Sequence, residues 1–118
     1  MAADDRLLAA LAVIQSRGAI GERSLTEAIA HADQFVHVLP AHAGSLVDLG
    51  SGGGLPGLVI AVRRPDLTIT LVERRATRAD LLRRAVVSLD IDYRVSVFAG
   101  DVRDLAGTLP GWPVAPPA

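Results

Sequence analysis

Leu46-Val47-Asp48-Leu49-Gly50-Ser51-Gly52-Gly53-Gly54-Leu55-Pro56-Gly57 is the stretch that decides how this chain folds. Apolar Leu46 and Val47 lead to an acid, Asp48, and glycines then alternate at Gly50, Gly52 and Gly54. Pro56 stands where a first helical turn begins, a place that suits its fixed φ and missing N–H. A strand, a glycine-rich turn and a helix start, in that order, build a cradle for a nucleotide or cofactor. Glycine reaches positive φ there at no steric cost and lets a ligand lie directly on the backbone.

Outward from this stretch, helical and extended patterns alternate. Residues 6–15 predict a short apolar helix, punctuated by Gly18 and Gly21. Ser24-Leu25-Thr26-Glu27 has the capping-box form, and Leu25, Ala28, Ile29, Ala32, Val36 and Leu39 follow at helical spacing until Pro40. Residues 45–48 predict the first strand and 55–64 a helix that stops before Pro65. Residues 67–73 predict the second strand, 77–89 a helix and 93–98 the third strand, closed by Gly100 and Asp101. The tail, residues 110–118, carries four prolines and predicts no regular structure. The expected organisation is a helical segment over 1–44, a cofactor-binding half domain over 45–109, and that tail.

Composition bounds the rest. The 118 residues suffice for one domain, able to bury about 65% of its unfolded surface. A net charge of −1 gives no global field for nucleic acid. All 12 basic residues are arginine, which we attribute to genome composition. The absence of cysteine excludes disulfides, thiolate metal sites and a thiol nucleophile. The apolar run at 7–14 is too short to span a bilayer, and Asp4 and Asp5 stand where a signal peptide would carry positive charge. The expectation is a soluble, cytoplasmic protein without a membrane partner. His31, His37 and His42 share no ligand spacing with an acid cluster, so no metal is expected, although Asp33 and His37 can pair along one helix face.

Strands alternating with helices predict a parallel sheet with right-handed crossovers. Ligands of such sheets lie beyond the carboxyl ends of the strands. Gly50, Glu73 and Asp101 all fall there. An acid after the second strand suits ribose hydroxyls, and a carboxylate at Asp101 suits an adenine amino group, although Gly100-Asp101 also makes an ordinary turn. Two ligands compete for the loop. Gly52, Gly54 and Gly57 satisfy a dinucleotide fingerprint. Gly50, Gly52 and Gly54 behind Asp48 fit a loop that holds S-adenosylmethionine. A pyrophosphate wants bare N–H donors, and an acid works against it, whereas the amino group of a methionine moiety welcomes one. Asp48 therefore favours S-adenosylmethionine. No Gly-Lys-Ser/Thr follows, which excludes a phosphate P-loop.

Leu46 through Gly57, then Arg64-Pro65-Asp66 and the strand ending at Glu73, resembles the bacterial 16S ribosomal RNA guanine-N7 methyltransferase family, also called glucose-inhibited division protein B. Gly54-Leu55-Pro56-Gly57 is more specific than the glycine loop shared by class I methyltransferases, and Arg78 with Leu81-Leu82-Arg83 looks like that family's basic-then-apolar segment. The resemblance covers about residues 39–104. It implies an α/β, Rossmann-like class I methyltransferase fold binding S-adenosylmethionine, with 16S ribosomal RNA in the 30S subunit as partner. The implied cofactor residues are Asp48, Gly50, Ser51, Gly52, Gly53, Gly54 and Leu55 at the amino-acid end, Glu73 with Arg74 at the ribose, and Asp101 with Val102 near the adenine. Guanine N7 already offers a lone pair, so no catalytic base is assigned.

The chain departs from the family where Ile29 and Ala30 replace an Arg-His pair, and at Thr77, usually basic. It also predicts three strands where the fold has seven. The expected sheet is truncated, with its first strand at an apolar edge. A fragment of an enzyme, a homodimer completed through that edge, and a non-catalytic cofactor-binding module are the three expectations.

Overall fold

A computed structural model of the chain describes residues 3–42, 44–50, 53 and 55–106. Its elements run α1 (Ala3–Ser16), α2 (Leu25–Val38), β1 (Ser45–Leu49), α3 (Gly57–Arg63), β2 (Thr68–Glu73), α4 (Ala76–Ser88), β3 (Val95–Ala99) and α5 (Val102–Ala106). Local chemistry sets the boundaries. Gly18 and Gly21 break the chain after α1 at φ +83° and +85°. The Ser24 hydroxyl accepts the Glu27 N–H at 3.4 Å and opens α2. α3 gives out at Arg64, the residue before Pro65.

The three strands form a parallel sheet in the order β1-β2-β3. The register sets Asp48 beside Leu71 and Leu71 beside Val97. Leu46, Asp48, Ile69, Leu71, Glu73, Val95 and Val97 therefore share one face. Two successive right-handed crossovers in one direction put α3 and α4 on that same face, where they contact β2 and β3. α1 lies across both helices, and α2 lies beside α3. Leu7, Leu11 and Ile14 from α1 meet Leu58, Ile69, Leu71 and Leu82 in one core, all essentially inaccessible to solvent. Burying each such side chain contributes about 1.5–3 kcal/mol. β2 is the central strand. Among the described residues β1 pairs with β2 alone, and its Leu49 is 59% exposed.

Two arginines tie the layers together. Arg63, at the end of α3, pairs with Asp33 of α2 at 2.9 Å and with Asp4 of α1. This displaces the expected Asp33–His37 pair: a guanidinium offers forked donors that reach both carboxylates at once. Arg94 donates to the carbonyls of Ala61 at 2.6 Å and of Arg64 and Leu67 at 3.3 Å. That clasp keeps residue 94 in the turn, so β3 begins at Val95 rather than at 93. The expected helix at 55 begins two residues later, because Leu55 and Pro56 remain in the loop. α5 has no counterpart in the sequence pattern. The tail 110–118 and its Trp112 lie outside the described residues. No helix among the described residues is long and apolar enough to cross a membrane, and no cluster of potential metal ligands occurs among them.

Candidate cofactor-binding site

The parallel register brings the carboxyl ends of β1, β2 and β3 to one edge, with Leu49 beside Val72 and Glu73 beside Ala99. Three segments converge there: the loop opening at Gly50, the turn after Glu73, and the turn at Gly100-Asp101.

Gly50 leaves β1 at φ +68°, with open space where a side chain would stand. Its backbone is therefore both left-handed and accessible, as direct contact with a ligand requires. Gly53 has the opposite surroundings. A Cβ there would collide with the Ile20 side chain and the Ala19 carbonyl, so the loop leans on the turn after α1. Leu55 and Pro56 line a small groove together with Arg23 and, from α2, His31 and Phe35. The His31 and Phe35 rings stand edge to face at 6.0 Å. Ser51, Gly52 and Gly54 lie outside the described residues.

Asp48 sits one residue short of the strand tip, half-buried on the helix-covered face. Its carboxylate lies where a Cβ on Gly57 would fall, beneath the start of α3. A negative charge is favourable beside unpaired N–H groups at a helix start.

Glu73 is the last residue of β2 and is 6% exposed. Its Oε1 accepts the Arg75 N–H at 2.9 Å, and its carbonyl accepts the Gly100 N–H at 2.9 Å, locking the two strand ends together. Arg74 is exposed beside it. Asp101 starts α5: its carbonyl accepts the Asp104 N–H at 3.0 Å and its Oδ1 the Arg103 N–H at 2.9 Å. The Arg103 guanidinium reaches the same carboxylate at 3.0 Å and, with that backbone bond, holds it at about 2, below the ordinary 3.8. Arg74 adds a further attraction. Val102, on the first turn of α5, is 37% exposed. The structure thus gathers Asp48, Gly50, Gly53, Leu55, Glu73, Arg74, Asp101 and Val102 at one edge.

Three contributors escape a reading of the sequence. The Ala19–Ile20 turn supports the loop without any signal in its own residues. The Arg103 partner of Asp101 is visible only as an i+2 spacing. The His31–Phe35 pair has the i, i+4 spacing of helix neighbours, which surface and packing residues share.

The donor set is selective. Buried and half-buried carboxylates at strand tips suit neutral hydroxyls and an ammonium group and oppose a pyrophosphate. Bare backbone at Gly50 admits a ligand to van der Waals distance. These residues fit an adenosyl amino acid.

Comparison with known proteins agrees with this chemistry. Residues 9–104 match the family described as rRNA small subunit methyltransferase G. A ribosomal RNA small subunit methyltransferase G from Salinispora tropica is 50% identical over 62 residues, 52% of this chain and 26% of that protein. One from Methylobacillus flagellatus is 41% identical over 81 residues, 68% of this chain and 39% of that protein. The chain therefore spans between a quarter and two fifths of the length of these curated relatives. Among solved structures, an O-methyltransferase from Bacillus cereus in complex with SAH superposes with a TM-score of 0.66 at 18% identity, covering 88% of this chain and 47% of that one. An O-methyltransferase family protein from Burkholderia thailandensis gives 0.52 at 26% identity, covering 70% and 26%. The fold is the α/β, Rossmann-like methyltransferase fold, present here as three parallel strands and their helices.

Proposed function

The chain belongs to the rRNA small subunit methyltransferase G family, and on that premise we propose that it is the cofactor-binding half of a methyltransferase acting on guanine N7 of 16S ribosomal RNA. The observation that carries this is the convergence of a bare glycine loop and acidic strand tips on one edge of the sheet. S-adenosylmethionine, when bound, supplies an electrophilic methyl group. Asp48 and the loop of Gly50, Ser51, Gly52, Gly53, Gly54 and Leu55 hold its amino-acid end. Glu73, pre-oriented by the Arg75 N–H, accepts from the ribose hydroxyls, with Arg74 beside it. Asp101 and Val102 face the adenine. Guanine N7 needs no proton removed, so this chain contributes by holding and aligning. The His31–Phe35 edge beside Leu55 offers a stacking surface to an unpaired base. The family supports a cytoplasmic setting, with the 30S subunit presenting the RNA.

A non-catalytic binding module that keeps the glycine loop is the second reading. A second copy adding a strand at the outer edge of β1 is the homodimer consistent with either. Calorimetry with S-adenosylhomocysteine and with NAD tests the cofactor: heat with the first alone supports S-adenosylmethionine, and heat with NAD alone overturns it. Methyl transfer to 30S subunits separates enzyme from binding module, and size-exclusion chromatography reports the dimer.

A further inference from the structure

Six of the 12 arginines are tied down within the fold, and three of the other six gather in one place. Arg6, Arg63, Arg64, Arg83 and Arg103 each pair with an aspartate, and Arg94 is held by backbone carbonyls. Arg17, Arg78 and Arg84 make no ion pair among the described residues, yet all three line one groove between the turn after α1 and the flank of α4. Thr77 and Leu81 complete its walls, and its volume is about 390 Å³. Asp80 is the acid in the lining, and its carboxylate is turned to Arg83 at 3.6 Å. The groove runs on along the α1–α4 seam over Ala10, Val13, Ile14 and Ala85, sharing Leu81 and Arg84 with it.

Helix electrostatics do not account for this gathering. Arg17 follows the carboxyl end of α1, where a cation is at home. Arg78 stands in the first turn of α4, where the macrodipole opposes it and an acid is usual; that turn contains no acid. Arg84 is too far along the helix to feel either end. Three like charges around one cavity repel one another until an anion arrives. A guanidinium offers planar forked donors that match phosphate oxygens. With a net charge of −1 for the chain, attraction for an anion is local to this face. α4 starts just after Glu73, so the groove leads away from the cofactor edge.

We propose that this groove binds backbone phosphates of an RNA strand, with Arg17, Arg78 and Arg84 as its anion-binding residues; this rests on the RNA-methyltransferase reading above. The open length of the seam favours a strand over a single small anion. The test is binding of the 118-residue chain to a 16S ribosomal RNA transcript across a potassium chloride series, alongside R17A/R84A and R17K/R84K. For every phosphate no longer neutralised by an arginine, the plot of log affinity against log salt becomes shallower by about 0.7–0.9. R17A/R84A is expected to lose about 1.5 in slope, and R17K/R84K to keep most of it. S-adenosylhomocysteine calorimetry on the same variants is expected to be unchanged, because both side chains are exposed and neither residue belongs to the cofactor edge. An unchanged slope in R17A/R84A overturns the groove, as does salt-independent or absent RNA binding by the parent. A reduced slope in a chain that takes no S-adenosylhomocysteine leaves the groove standing and removes the cofactor reading.

Discussion

The space a side chain at Gly57 would need is already filled by the carboxylate of Asp48, with Leu71 closing the other side. Helix α3 can approach β1 this closely because its first residue has no Cβ. Gly57→Val is expected to cost about 1–3 kcal/mol through overpacking, read as a lower urea midpoint at unchanged m. Gly44→Ala, where nothing lies within 4 Å, is the control and should stay within about 0.5 kcal/mol of the parent. Equal behaviour of the two variants would contradict the packing described.

Glu73→Gln keeps an oxygen for the Arg75 N–H but removes the negative charge at the tip of β2. Hydrogen bonds to a charged group contribute about 1.5–3 kcal/mol, so S-adenosylhomocysteine affinity should fall about tenfold to a hundredfold. The melting temperature should move little. Unaltered calorimetric affinity would take Glu73 out of the site.

Asp101 is held at about 2 by Arg103 against an ordinary 3.8. Asp4 and Asp66 are likewise held low, by Arg63 and Arg64. A carboxyl lowered by folding adds stability that is fully present above its unfolded value and is lost as pH falls through its folded value. Urea midpoints should therefore decline as pH drops from about 4 towards 2, and Asp101→Asn should make that decline shallower. A D101N profile that overlays the parent would show that Asp101 contributes nothing to it.

Arg94 joins the turn before β3 to the carbonyls of Ala61, Arg64 and Leu67. Arg94→Met removes a charged donor from three acceptors and is expected to destabilise by about 2–3 kcal/mol. Arg94→Lys should recover only part, since a single ammonium cannot span the same fork. Full recovery by lysine in chemical denaturation would argue for charge alone.

The parallel sheet was legible because period and punctuation agree: β-branched residues at 68, 69, 70 and 72 lie between Pro65-Asp66 and the acid Glu73, and the structure places β2 there. The cradle was legible because alternating glycines have few other uses. What escaped was long-range. Nothing local in Arg94 announces three carbonyls from an earlier turn, and its clasp moved the start of β3. Asp33 seemed matched to His37 one helical turn away, but a stronger partner comes from α3. α5 is five residues long, too short for a period to show, and Asp101 reads equally as a turn. The ring pair His31–Phe35 sits at ordinary helical spacing, and only the loop packed alongside gives it a context.

Gly53 rests on the Ala19–Ile20 turn, and this makes the N-terminal helices a buttress for the cradle. A ligand settling into the loop will be felt behind it, so amide exchange at Ala19 and Ile20 should slow although neither residue faces the solute. Conversely, lengthening the hinge between α1 and α2 should loosen the grip of a loop that it never enters. The first helices are thus the foundation on which the pocket's tension is set.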